Sequence, residues 1–149
     1  MFGMFGGKKK NGAATGDWGE DMVGMMKMLA GMPGMMRKPM MKSRIKQILS
    51  LPEERRQQSI REMFGAFHSP KVKDKAREKL VATRIEVVGE LPEEKRRTLI
   101  SSRIVALKAA PHLEEADQRV QDRVLSKVSA SARQAFTSTW AEVVKEEED

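Results

Sequence analysis

The sequence predicts an all-α fold: three stacked helical hairpins preceded by a methionine-rich helical arm. Apolar residues recur at helical spacing, i, i+3, i+4 and i+7, through most of the 149 residues. The chain contains only two Trp, five Phe and no Tyr, so its core is aliphatic, which suits helices better than a sheet. A turn centred on Leu-Pro-Glu-Glu also occurs twice, beginning at Leu51 and Leu91.

The N-terminal part divides into two segments of different composition. Residues 1–16 contain five glycines and three lysines and little that could form a core, which predicts a flexible leader. Residues 17–41 hold nine of the 12 methionines. One face of a predicted short helix there consists of Met22, Met25, Met26 and Leu29. Gly31 and Pro33 end this helix.

Residues 42–145 predict a helical-hairpin domain of six helices, followed by an acidic tail at 146–149. Pro39 suits the first turn of the first of these helices, and Pro70 opens the third. The third has apolar residues on two faces, which predicts a central helix buried on both sides and ended by the segment Gly89-Glu-Leu-Pro92. The apolar stripes of the six helices include Ile45 and Ile48; Ile60, Phe64 and Phe67; Val81, Ile85 and Val88; Ile100 and Leu107; Leu113, Val120 and Val124; and Phe136, Trp140 and Val143.

The hairpins share a repeated unit of about 40 residues. Arg44 precedes the first Leu-Pro-Glu-Glu turn by seven residues, Arg84 precedes the second by the same distance, and Arg123 precedes a degenerate third copy at 128–133. The period and the turn chemistry resemble HEAT-type helical repeats over 42–145, while a six-helix bundle made by duplication shows the same pattern. The three arginines are predicted to pair with a neighbouring acid or carbonyl.

Several classes of protein are excluded or disfavoured by composition. The absence of Cys excludes a disulfide framework, thiol catalysis and cysteine-based metal sites. The first residues lack the pattern of a signal peptide, and no apolar run approaches the roughly 18 residues of a membrane span, so we expect a cytoplasmic protein. The two histidines, His68 and His112, fall in predicted surface loops without a Ser–Asp partner. We therefore expect no enzyme and no cofactor.

The methionine-rich segment is the candidate binding region, because flexible thioether side chains adapt to varied apolar partners. The predicted partner-binding residues are Trp18, Met22, Met25, Met26, Leu29, Met32, Met35, Met36 and Met40. The Gly-Met-Pro-Gly-Met-Met run at 31–36 resembles the methionine-rich finger in the signal-binding domain of the signal-recognition-particle GTPase, although neither that family's RNA-binding helix nor its GTPase is visible. The other interpretations are packing on the hairpins, contact with a membrane surface, and copper(I) binding by Met25, Met28, Met32 and Met36.

Charge is distributed unevenly along the chain. Residues 1–50 carry nine basic and three acidic groups, whereas residues 111–149 carry five basic and nine acidic groups. The predicted anion contacts beside the methionines are Arg37, Lys38, Lys42 and Arg44. We therefore expect a non-enzymatic accessory or adaptor subunit that docks on a larger protein partner or multisubunit complex through its methionine-rich arm. The alternative is a nucleic-acid-binding protein that uses the basic face of residues 37–97. The sequence makes no prediction of oligomeric state.

Overall fold

The computed structural model describes residues 19–148, with side chains from Met22 onward, and confirms the all-α prediction. The described residues form seven α-helices and one short 3₁₀ turn: α1 Gly19–Gly31, α2 Gly34–Leu49, α3 Glu53–Phe67, α4 Asp74–Glu90, α5 Glu93–Lys108, α6 Pro111–Val124, the 3₁₀ turn Leu125–Lys127, and α7 Ala130–Glu148. The predicted leader and Trp18 lie outside the described residues.

Helix α2 begins earlier than the sequence predicts. The sequence predicts the first turn at Pro39, but the helix starts at Gly34 and Pro39 lies inside it. Pro33 occupies the N-cap with ψ of 148°, so the backbone is extended at this residue and resumes helix at Gly34. The predicted boundary between arm and hairpin domain, at residue 41, therefore falls within a continuous helix.

Proline also takes the N-cap position in both Leu-Pro-Glu-Glu turns. Pro52 and Pro92 have ψ of 157° and 148°, and neither cap is closed by a side-chain hydrogen bond. The two glutamates that follow each proline lie in the first helical turn, where their negative charges interact favourably with the positive end of the helix dipole. These turns therefore depend on proline geometry and on dipole electrostatics rather than on a capping box.

An arginine at the fourth position of the helix recurs in α2, α3, α4 and α5. Its guanidinium donates to the carbonyl five residues earlier, in the turn before the helix: Arg37 to Met32 at 2.7 Å, Arg56 to Leu51 at 2.9 Å, Arg77 to Val72 at 2.6 Å and Arg96 to Leu91 at 2.8 Å. These bonds satisfy turn carbonyls that have no helical partner. The arginines lie 19 to 21 residues apart, so this feature recurs once per helix, at half the predicted period.

Three of these arginines also link alternate helices. Arg37 donates to the hydroxyl of Thr83 at 3.0 Å, Arg56 to that of Ser102 at 3.1 Å and Arg96 to that of Thr139 at 2.7 Å. Accordingly α2 packs on α4, α3 on α5, and α5 on α7.

Helix α4 lies at the centre of the packing, as its two apolar faces predict. It contacts α1, α2, α6 and α7, and its residues Leu80, Val81, Ile85 and Val87 are fully buried. The helix ends at Glu90, within the Gly89-Glu-Leu-Pro92 segment that the sequence predicts to end it. A Cβ at Gly89 would lie 2.7 Å from the Cα and carbonyl oxygen of Ala132, so the glycine allows α7 to approach the backbone of α4.

Candidate partner-binding surface

The methionines of α1 are divided between the core and the surface. Met22, Met26 and Leu29 are 3%, 2% and 4% exposed and belong to the core of this chain. Their spacing places them on the side of α1 that packs against α3 and α4. Three of the predicted partner-binding residues are thus occupied by intramolecular packing, and the predicted arm belongs in part to the core of this chain.

The exposed methionines lie on both sides of the turn between α1 and α2. Met28 is 51% exposed, Met35 88%, Met36 54% and Met40 43%, and we call these four residues the Met surface. Among the described residues, Val105 is the only other large apolar side chain classed as exposed. Of the remaining predicted contacts, Met25 and Met32 are partly buried against the core.

The first two turns of α2 present a mainly apolar outer face, with the partly exposed Lys38 at its edge. Met35, Met36, Pro39 and Met40 are all exposed there, whereas Met41, Ile45 and Ile48 form the buried stripe. Solvent-exposed methionine on a helix contributes nothing to the stability of its own core, and contiguous exposed apolar residues commonly mark a binding surface. This face is the part of the predicted segment that remains open to a partner.

A row of lysines borders this apolar face. Lys38, Lys42 and Lys46 recur every fourth residue and therefore lie along one side of α2; we call them the lysine row. The ammonium group of Lys38 pairs with the carboxylate of Glu90 at the end of α4. No acidic residue occurs in the sequence from Met22 to Pro52.

The two arginines predicted as anion contacts bond within the chain. Arg37 bonds the Met32 carbonyl and the Thr83 hydroxyl. Arg44 Nη2 donates to the Sδ of Met25 at 3.2 Å, and burial lowers the pKa of Arg44 to about 10. All four predicted anion contacts are partly buried, and Lys38 also pairs within the chain, with Glu90.

A buried ionic cluster at the centre of the molecule was not predicted. The Asp117 carboxylate, which is 0% exposed, accepts from Arg84 Nη1 at 3.0 Å and Nη2 at 2.6 Å. It also lies 3.0 Å from Arg103 Nη2 and 2.8 Å from His68 Nε2. These groups come from α4, α5, α6 and the residue that follows α3, so one carboxylate links four helices.

The electrostatics of the cluster favour the ionised carboxylate. Burial by itself would raise the pKa of Asp117, but the charges of Arg84 and Arg103 and the hydrogen bonds from His68 and Arg84 hold it well below its usual range. Burial lowers the pKa of Arg103, while Asp117 and Glu114 oppose that effect. The planar guanidinium of Arg84 also lies over the Phe64 ring, 4.5 Å from its centroid, and that of Arg103 lies 4.5 Å from the Trp140 centroid.

The structure corrects one expectation and confirms another. His68 is not a surface-loop residue, since its side chain is 7% exposed and bonded to Asp117. The prediction that Arg84 and Arg123 pair with acids is confirmed, by Asp117 and by Glu78 respectively. A sequence signal for the cluster exists: Asp117 falls on the α6 stripe between Leu113 and Val120, where an apolar residue is expected.

Neither of two cavities in the described residues adjoins the Met surface. An internal cavity of about 30 Å³ beside Arg84 and Arg103 is otherwise lined by apolar side chains such as Ile45 and Phe136, and it has room for about one water molecule. A shallow, open groove of about 370 Å³ between the start of α5 and α7 has a mainly polar lining that includes Glu93, Gln134 and Glu142.

Comparison with known proteins adds no further identification. No protein-family model, no curated protein and no solved structure matches this chain. None of the helices in the described part of the chain combines the length and apolarity needed to cross a membrane.

Proposed function

We propose that this protein is a non-enzymatic adaptor or accessory subunit that binds a larger protein through the Met surface. The observation that carries the proposal is the clustering of exposed apolar side chains. Of the five exposed large apolar residues among the described ones, four lie between Met28 and Met40. Exposure of such a group is costly for an isolated chain in water, and a partner that covered it would remove that cost.

The rest of the helical body serves as a rigid support in this proposal. The buried half of α1 packs on α3 and α4, and Arg37 fixes the start of α2 to α4 through Thr83. The Met surface is therefore held on well-anchored helices, which lowers the ordering cost of binding. Methionine side chains retain enough freedom to adjust to the partner.

The nucleic-acid alternative has weaker support. The arginines of the basic stretch, which are the side chains best suited to phosphate, bond within the chain at Arg37, Arg56, Arg77 and Arg96. The exposed cations left on that stretch are mainly lysines such as those at 71–79. The aromatic rings of Phe64 and Phe67 are buried and unavailable for base stacking.

The wild-type chain and the variant Met35→Ser/Met36→Ser are each expressed in the native cells. Their complexes are then compared by native mass spectrometry and size-exclusion chromatography. Because these two side chains are 88% and 54% exposed, the isolated fold should be unchanged. If a partner buries them, the loss is roughly 2 to 4 kcal/mol, or about 30-fold to 1000-fold in Kd.

Val105→Ser is the matched control, since Val105 is 36% exposed and lies on α5 rather than beside the turn between α1 and α2. The proposal predicts that the double methionine variant loses the high-mass complex while Val105→Ser retains it. A double variant that assembles as fully as the wild type would refute the proposal.

A further inference from the structure

The lysine row beside the Met surface specifies the kind of partner that this surface fits. On α2 the exposed apolar residues occupy the first two turns, and the lysine row runs from Lys38 beside them to Lys42 and Lys46 in the turns that follow. The row repeats every four residues, so its successive Cα positions are separated by about 6 Å along the helix axis. An amphipathic helix laid along α2 could cover the methionines and bring side chains of its own against the lysines.

We propose that the partner presents an acidic amphipathic helix, with an apolar face that covers Met35, Met36 and Met40 and carboxylates that face Lys42 and Lys46. This inference rests on the proposed function and names the partner's chemistry. A helix with Asp or Glu at every fourth position repeats its charges at the same interval of about 6 Å. Packing of one helix on another buries the apolar strips while the charged groups remain at the rim.

The charge distribution of the chain supports a carboxylate-bearing partner. The sequence from Met22 to Pro52 has six basic residues and no acidic one, so an acidic helix meets no repulsion from this segment. Moreover, the ammonium group of Lys38 already pairs with a carboxylate, that of Glu90. Lys42 and Lys46, the other two lysines of the row, would bind the same kind of anion, a carboxylate.

Two other anionic surfaces fit less well. Nucleic acid is favoured by arginine forks and exposed aromatic rings, but Arg37 and Arg44 already bond Thr83 and Met25. Insertion into a lipid surface is favoured by Trp, Phe and Leu on the apolar face, whereas the described face of α2 consists of methionine and proline. Flexible thioethers suit the uneven surface of a protein helix better.

The inference is tested by fluorescence anisotropy with synthetic peptides and the full chain. The probe is a labelled helical peptide of about 18 residues, long enough to form a helix on binding, with leucines on one face and a glutamate at every fourth position along its flank. A second peptide carries lysine in place of each glutamate. Anionic vesicles of phosphatidylcholine and phosphatidylglycerol and a single-stranded oligonucleotide are the other ligands.

We expect the glutamate peptide to bind at least tenfold more tightly than the lysine peptide, the vesicles or the oligonucleotide. Lys42→Glu/Lys46→Glu should weaken its binding about tenfold at low salt, and by less at high salt. Lys42→Gln/Lys46→Gln, which avoids an acid at the helix C-terminus, should give a smaller loss in the same direction. Lys71→Glu/Lys75→Glu makes the same charge change at two exposed lysines elsewhere and should have little effect.

The inference would be overturned if the two peptides bound equally, if the chain preferred the vesicles or the oligonucleotide, or if the glutamate peptide did not bind. It would also be overturned if both variants of Lys42 and Lys46 bound the glutamate peptide as the wild type does. Its failure is distinguishable from failure of the proposed function. If Met35→Ser/Met36→Ser loses the cellular complex while Lys42→Glu/Lys46→Glu retains it, the Met surface binds a partner that is not acidic.

Discussion

Replacement of Asp117 by asparagine should destabilise this protein more than any surface change. The carboxylate is fully buried and accepts two bonds from Arg84, with Arg103 and His68 within 3.0 Å. Asparagine has nearly the same shape but no charge, so the change leaves two buried guanidinium groups without their shared counterion. It also places an amide N–H donor where only an acceptor fits.

The expected cost is about 3 to 5 kcal/mol, the usual result of removing one partner from a buried ion pair. Because a domain of this size has a total stability of about 5 to 15 kcal/mol, the variant should be marginally folded. With a urea m-value near 2 kcal/mol/M, the midpoint of unfolding should fall by about 2 M. Urea titration followed by far-ultraviolet circular dichroism measures this shift.

Asp122→Asn provides a control on the same helix, since Asp122 is exposed and its loss should cost less than about 0.5 kcal/mol. A shift for Asp117→Asn no larger than that of the control would refute the reasoning. The combined variant Arg84→Met/Arg103→Met/Asp117→Leu removes every charge at the centre of the cluster and should recover much of the lost stability. If it is as unstable as Asp117→Asn, the cost lies in packing rather than in unpaired charge.

Three further predictions concern pH, the contact of α4 with α7, and the arginines at the fourth position of the helices. The pKa of Asp117 is depressed in the folded state, so its ionised carboxylate stabilises the fold above the unfolded pKa of about 3.9. This stabilisation is lost as the pH falls below that value, by at most about 1.4 kcal/mol per pH unit. The urea midpoint of Asp117→Asn should therefore fall less steeply with acid than that of the wild type. Gly89→Ala should cost about 1 to 3 kcal/mol, since its Cβ would lie 2.7 Å from backbone atoms of Ala132, whereas Gly65→Ala, with nothing within 4 Å, should be neutral or stabilising in thermal unfolding. Arg96→Ala should lower the free energy of unfolding in urea by about 1 to 3 kcal/mol, because it removes one bond to the preceding turn and one to α7; no loss would contradict this structural role.

The cluster at Asp117 shows how far a sequence can predict a site. Its members stand out locally, because Arg84, Arg103 and Asp117 occupy stripe positions where apolar residues are expected. Their mutual pairing is not a local property, however. Arg84 and Asp117 are 33 residues apart, and His68 and Asp117 are 49 apart, so only the packing of four helices shows that these residues share one buried site.

The Met surface likewise combines a feature that the sequence predicts with one that only the packing of the helices shows. The density of methionine between residues 17 and 41 identified the segment, and its helical spacing predicted α1. Burial then separated its members: Met22 and Met26 face α3 and α4, while Met28 and Met35 face solvent. That separation depends on which face of each short helix is covered by helices distant in the sequence.

The sequence by itself determined that this protein is all-helical, where most of its turns lie, and that α4 is buried on two faces. These features follow from apolar periodicity and from proline, which act within a few residues. The tertiary structure alone decided that α1 joins the core, that one arginine in each of α2, α3, α4 and α5 anchors the preceding turn, and which methionines remain open to a partner. Those outcomes depend on contacts between alternate helices, and periodicity within one helix does not specify its neighbour.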